Sequence, residues 1–243
     1  MDVATIDLNI GNTQRGFSYR RSTADEGLIA QVLMNSCFNF SRLRRGEELA
    51  DLYERLIRTG KAPLVIDVGA NIGASALYFA FSFSKARVVA IEPEQSKFDL
   101  LVANTTGLAV ECLQAAVGTS AGVLSAIDST DDRECRAAPL TDARKATDHV
   151  SCVTINEILE NRSQDTLPFI TKIDVGSSDN GSLFATNIEW ITGTPVIIIA
   201  LRDCLIPGSD AVHKFVECIA DQNRDFVYLH DNIFSIDRNL PVT

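Results

Sequence analysis

The sequence predicts an α/β fold: a doubly wound, mostly parallel sheet that ends in an antiparallel hairpin and is preceded by N-terminal helices. Three observations carry this. From residue 63 onward, short apolar runs alternate with stretches at helical spacing. Within them, a buried run at 64–68 leads into a glycine-bearing turn and then a helical stretch. Near the C-terminus, two apolar runs flank Asp231-Asn232, the pattern of an antiparallel pair. The chain has 243 residues, enough to bury a core that needs no metal or disulfide framework.

The elements follow in order. Residues 1–62 read as a helical extension ahead of a main domain at 63–243. Leu28 to Leu43 and Glu47 to Thr59 carry apolar residues at helical spacing; in the second, Leu49, Leu52, Leu56 and Ile57 share a face, and Gly60 ends it. Helices so placed cover either a substrate pocket or a sheet edge. Strands are then expected at 64–68, 87–91, 110–113, 169–175, 195–201 and 226–229. Helices are expected at 73–84, 95–105, 182–192 and 209–222. Residues 118–160 are polar and read as an inserted strand, loop and helix.

Charge narrows the function. Asp and Glu number 32 against 22 Lys and Arg, a net charge of −10, and the excess lies beyond residue 62. Such a body repels phosphate backbones and anionic lipid, which excludes general nucleic-acid binding and membrane association. The six cysteines are far apart and form no C-x-x-C pair, so they read as small buried hydrophobes in a reducing compartment. Met1 to Asp7 lacks the pattern of a secretory leader, and no apolar run has membrane-spanning length. The expectation is a soluble, cytoplasmic protein with no metal. Asp128, Asp131, Asp132 and Glu134 lack calcium-loop spacing and read as a solvated loop.

The densest signal is Leu64-Val65-Ile66-Asp67-Val68-Gly69-Ala70-Asn71-Ile72-Gly73-Ala74-Ser75. A dinucleotide fingerprint needs glycine at its central position, where the pyrophosphate meets the backbone. Here Asn71 stands there, and Asp67 puts a carboxylate at the strand end. A fixed negative charge opposes a pyrophosphate and favours a ligand with an ammonium and a sulfonium, such as S-adenosylmethionine. Opposite charges about 4 Å apart are worth about 4 kcal/mol at an effective dielectric near 20. The next strand ends in Ile91-Glu92-Pro93, where Glu92 can accept both ribose hydroxyls of an adenosine and Pro93 stops the strand.

Ile66 to Gly73, Ala90-Ile91-Glu92-Pro93, Asn104, Gln114 to Gly118 and Lys172-Ile173-Asp174-Val175 together resemble the FkbM-type S-adenosylmethionine-dependent methyltransferases, from about residue 63 to about 236. The resemblance implies a Rossmann-like, seven-stranded class I sheet and S-adenosylmethionine as methyl donor. It also implies O-methylation of a small molecule, sugar or natural product. Asp67, Gly69, Asn71 and Gly73 would line the methionine end, with Ala70 in the same loop. Glu92, with Pro93 after it, would take the ribose, and Gln114 and Ala115 would flank the adenine.

The match fails beyond the donor loop. Where the family carries Glu-Gly and a further acid, this chain reads Gly176-Ser177-Ser178-Asp179-Asn180-Gly181, and the strand at 196–201 ends in Ala-Leu where a glutamate is usual. A degenerate donor-binding domain with a regulatory or assembly role is the alternative that this supports; a nicotinamide-dependent oxidoreductase is the other. For the reaction itself, Asp174 at the end of its strand is the first candidate for the general base. His149 and His230 titrate in a useful range, His230 beside a turn. Lys172 is expected to bury its stem and pair locally. Arg42, Arg44 and Arg45 read as the solvated start of a helix, and Phe79, Phe81 and Phe83 as core.

Overall fold

The computed structural model describes residues 2–10, 13–127, 136–139, 149–174, 183–200 and 211–240. The chain opens with a hairpin, which corrects the expectation that the N-terminal extension is helical. Strands β1 (Val3–Ile10) and β2 (Thr13–Arg20) pair antiparallel, Val3 opposite Arg20 and Ile10 opposite Thr13. The residues alternate as a half-buried strand requires: Leu8 and Phe17 are buried while their neighbours are not.

The stretch expected as one helix at 28–43 is broken. It runs from α1 (Ala24–Ile29), capped by the Thr23 side chain, through a π turn at Ala30–Met34 to a short 3-10 turn at Phe40–Arg42. Ser36, at φ +51°, interrupts it. Helix α2 (Gly46–Arg58) meets its expectation: Leu49, Leu52 and Leu56 are buried, and Gly60 ends it in the left-handed region.

The core then alternates. Strand β3 (Ala62–Val68) is followed by α3 (Ala74–Ser82), β4 (Arg87–Ile91), α4 (Gln95–Thr105) and β5 (Val110–Leu113), close to the expected spans. The inserted stretch holds more strand than its polarity suggested. Strands β6 (Ala115–Val117), β7 (Gly122–Ile127), β8 (Arg136–Pro139) and β9 (His149–Val153) make a small sheet in the order β6-β9-β7-β8. Helix α5 (Ile155–Glu160) closes the insertion with a Thr154–Glu157 capping box.

Strand β10 (Thr166–Ile173), helix α6 (Glu189–Gly193), strand β11 (Val196–Ala200), helix α7 (Ala211–Ile219) and the hairpin β12 (Arg224–Leu229) and β13 (Asn232–Asp237) complete the chain. The large sheet has seven strands in the order β12-β13-β11-β10-β3-β4-β5. It is parallel from β5 to β11, and β13 and β12 pair antiparallel. The final turn sits one residue earlier than expected, at His230-Asp231, with Leu229 opposite Asn232 and His230 at φ +53°.

Both faces of the sheet are buried, as parallel strands demand. One face, with Val65, Ile198 and Phe234, packs under α2, α3 and the N-terminal segment. The other, with Ile66, Ile173 and Ile199, packs against Trp190, Phe184 and Phe215. Phe79 is fully buried and Phe81 and Phe83 pack at the margin of the first layer. Among the described residues, no helix is long and apolar enough to cross a membrane.

Candidate functional site

The turn after β3 is fixed by three left-handed residues: Gly69 at φ +72°, Asn71 at +51° and Gly73 at +91°. Gly73 has a second constraint, since a Cβ there would lie 3.0 Å from Leu101 Cδ1 and 3.3 Å from its Cα. The conformation directs every backbone N–H of the turn inward. Gly69 and Ala70 donate to the Ile91 carbonyl at 3.0 and 2.9 Å, and Gly73 donates to Ala70 at 2.9 Å. Asn71 N–H donates to Glu92 Oε2 at 2.9 Å, and Ile72 N–H to the Asn71 side chain at 2.8 Å. A phosphate cradle needs such N–H groups turned outward to the ligand. In residues 69–73 they are already engaged.

Asn104 secures this turn from α4. Its amide donates to the Ile72 carbonyl at 2.8 Å and to Ser18 O at 2.9 Å, and its oxygen accepts from Ser18 N–H at 2.7 Å. The N-terminal hairpin is thereby tied to the same loop, a connection the sequence did not disclose.

Asp67 lies at the strand end as expected but not as an open anion. It is fully buried, accepts from Ser75 Oγ at 2.5 Å, and faces Lys172 Nζ 2.9 Å from Oδ1. Lys172 is buried too and donates to the Gly69 carbonyl at 2.8 Å. The expected local pairing of Lys172 is a cross-strand one, because the parallel register sets Lys172 directly opposite Asp67. Asp67 is therefore half of a compensated pair rather than a free carboxylate at the mouth of the loop. Ser75 was named in the motif but given no role.

Glu92 is buried at the end of β4. Besides Asn71, it accepts from Glu94 N–H at 3.0 Å. Burial raises its pKa, against the opposing pull of Lys97 and these two N–H groups. Glu94 is held the other way: burial would raise it, but Lys97, at 2.8 Å, Ser96 and the nearby Arg20 outweigh that and lower it. Two carboxylates two residues apart are thus tuned in opposite directions. Pro93 is half-buried, Ala70 and Ala115 are buried, and Gln114 is exposed, its amide donating to Gln95 Oε1 at 2.8 Å.

On the other side of β3, Asp174 follows β10 directly, its N–H donating to the Val68 carbonyl at 3.0 Å. Lys172, Ile198 and Phe234 form one cross-strand row, and Ala200 and Asn232 pair in the row beyond on the same face. Cys37 descends onto this face from the N-terminal segment. Burial pushes its thiol up to about 11, Lys172 pulls it down, Asp174 pushes it up, and Asn232 hydrogen-bonds it. Cys37 is thus buried as expected, but among charged and polar groups. Cys37 and Asn232 are the residues that sequence reasoning missed here; nothing in their local sequence marks them.

Polar contacts tether the N-terminal segment to the final hairpin. Gln31 donates to Asp231 at 3.3 Å, Arg42 lies 3.2 Å from His230 Nε2, and Arg45 pairs with Asp225 at 3.0 Å and Glu48 at 2.7 Å. The arginine cluster is therefore not simply a solvated helix start; Arg44 alone of the three is exposed without such a contact among the described residues. His230 is held by Arg42 beside its turn. The altered segment 176–181 and the acidic loop at 128–134 lie outside the described residues, as does the His149 side chain.

Residues 67–176 match the methyltransferase FkbM domain. No curated protein matches the chain in sequence. Among solved structures, the chain is similar to an O-methyltransferase from Bacillus cereus in complex with SAH, at 16% identity over 89% of this chain and 98% of that chain, with a TM-score of 0.43. It is similar to an SAH-bound methyltransferase from Podospora anserina, at 11% identity over 90% and 96% of the two chains, TM-score 0.43. A putative O-methyltransferase from Klebsiella pneumoniae shows 12% identity over 88% and 97%, TM-score 0.42. The matched stretch begins at Asp67 and takes in the turn, Glu92 and β10, so this part of the chain is similar to a methyltransferase FkbM domain.

Proposed function

We propose that the chain transfers a methyl group from S-adenosylmethionine to a hydroxyl of a small molecule, sugar or natural product. The observation that carries this reading is the turn at 69–73, whose N–H groups are all engaged internally. A pyrophosphate would find no free N–H donors there, whereas the donor's α-ammonium is itself a hydrogen-bond donor and needs none of them.

The residues present fit that donor. A carboxylate has about four lone-pair positions, and Glu92 uses two on backbone N–H groups, which leaves room for ribose hydroxyls. Asp67, Gly69, Ala70, Asn71 and Gly73 would hold the methionine end, Gln114 and Ala115 the adenine, and Pro93 fixes the exit of Glu92. When bound, S-adenosylmethionine supplies a methyl group already activated on a sulfonium. The protein's task is then to hold an acceptor oxygen in line and exclude water. Asp174 is the proposed base, taking the proton that the hydroxyl gives up. The N-terminal segment, tied to the final hairpin, is the proposed cover over the acceptor.

The test is calorimetric titration of wild type and Asp67→Ala with S-adenosylhomocysteine (SAH) and with NADH. Wild type should bind SAH and not NADH, and Asp67→Ala should lose at least about tenfold, or about 1.4 kcal/mol. Binding of NADH without SAH would reassign the site to an oxidoreductase. SAH binding without turnover on a broad acceptor panel would favour a donor-binding domain that does not catalyse.

A further inference from the structure

We propose that Lys172 is a positioning residue of the donor site: its ammonium bridges the buried Asp67 carboxylate and the Gly69 carbonyl, and so holds Asp67 where it can take the α-ammonium of the donor's amino-acid end. This rests on the donor assignment above. The geometry is specific. Lys172 Nζ stands 2.9 Å from Asp67 Oδ1 and 2.8 Å from the Gly69 carbonyl, and so links the strand end to the first residue of the turn. Ser75 holds the other carboxylate oxygen. The contact at Oδ1 is an ion pair without hydrogen-bond alignment, and Oδ1 has no hydrogen-bond partner although it is completely buried. An acceptor in that state, beside the turn, suits an incoming N–H donor.

The groups around Asp67 show why the counter-charge is needed. Lys172 faces it from β10, and Asp174 lies two residues further along that strand's direction. Ser75 faces it from α3, Cys37 from the N-terminal segment lies close to Lys172 and Asp174, and β4 offers only Ala90 opposite. Among the described residues, Lys172 is thus the cation of this group. Without it, a buried carboxylate near another acid is left with no counter-charge to hold it at the turn.

The experiment measures SAH and 5′-methylthioadenosine binding from mildly acidic to mildly alkaline pH. It compares wild type, Lys172→Met, Lys172→Arg, Asp67→Asn and the double variant Asp67→Asn/Lys172→Met. Methylthioadenosine carries the adenosine but no amino-acid end, so it reports the rest of the site. At each pH, Lys172→Met should bind SAH at least about tenfold more weakly than wild type. Methylthioadenosine binding should not change, and Lys172→Arg should restore most of the SAH affinity. Asp67→Asn should lose SAH affinity as well.

The double variant has no uncompensated buried charge and so keeps the test valid if Lys172→Met does not fold. It should match Asp67→Asn alone. Additive losses, equal weakening of both ligands at every pH, or SAH binding by Lys172→Met at the wild-type level would each overturn the proposal. Failure of wild type to bind SAH would instead remove the donor assignment beneath it.

Discussion

On one side of β3 stands a turn whose parts are neighbours in sequence; on the other, a face assembled from three separate places in the chain. The turn at 69–73 is closed by its own backbone and by Glu92, a single strand away. The face beyond it draws Cys37 from the N-terminal segment, Lys172 and Asp174 from the end of β10 and the residue after it, and Asn232 from β13. Sequence fixes the first almost by itself, because left-handed backbone and a carboxylate at set offsets admit few solutions. The second depends on tertiary packing, so it is free to change while the first stays constant.

The comparison can be broken first at Asp174. If the two sides are separable, Asp174→Asn should lower methyl transfer by about 10²–10⁴-fold, the usual range for loss of a general base. SAH affinity should stay within about twofold of wild type, or about 0.4 kcal/mol. The readout is SAH release with any acceptor that wild type methylates. An equal loss of SAH binding would merge the two sides into one.

Gly73→Ala comes next. Its positive φ and the approach of Leu101 mean a Cβ must strain the turn or move α4, at about 1–3 kcal/mol. Thermal unfolding should shift down, and SAH affinity should fall with it because the turn carries the site. An unchanged melting temperature would show that the turn is slack.

Acidification should separate stability from binding. The Glu92 pKa is raised by burial, so its protonation favours the folded state, and its contribution to stability grows as pH falls through the folded value. Donor binding needs the ionised form and should weaken over that same range, above where an ordinary glutamate titrates. Asp225, lowered chiefly by its hydrogen bond to Arg238, acts oppositely. Its contribution is present above the unfolded carboxylate value and is lost as pH falls through the folded one. Chemical denaturation and SAH titration along one pH series would show the two Glu92 trends diverging; parallel trends would remove Glu92 from the donor site. The smallest effect concerns Cys37. Its thiol, raised to about 11, should resist alkylation in the native protein and react only on unfolding.

How much of this was legible in the sequence follows the same division. Strands β4 and β5 and helix α4 fall where the apolar periods put them, because their patterns are long and bounded by turns. The hairpin at 3–20 was not legible: Ile6, Leu8 and Phe17 alternate with polar residues, and only docking on α4 through Ser18, Arg15 and Asn104 makes that weak pattern a stable pair. The helix expected at 28–43 broke at Ser36, whose left-handed backbone no period announces. Asp67 at the end of β3, Glu92 after β4 and the glycines of the turn were readable from spacing as structural positions. The partner of Asp67 was not, because the parallel register that sets Lys172 opposite it is a property of the assembled sheet. That register also changed the physics, turning an expected open anion into half of a buried pair.

The most direct measurement of the donor assignment is a crystal structure of the SAH complex. The ribose hydroxyls should lie on the Glu92 carboxylate, and the amino-acid end should lie over the turn at 69–73 on the Asp67–Lys172 side. SAH bound away from Glu92, or a phosphate group seated on the turn with its N–H groups released, would contradict the account.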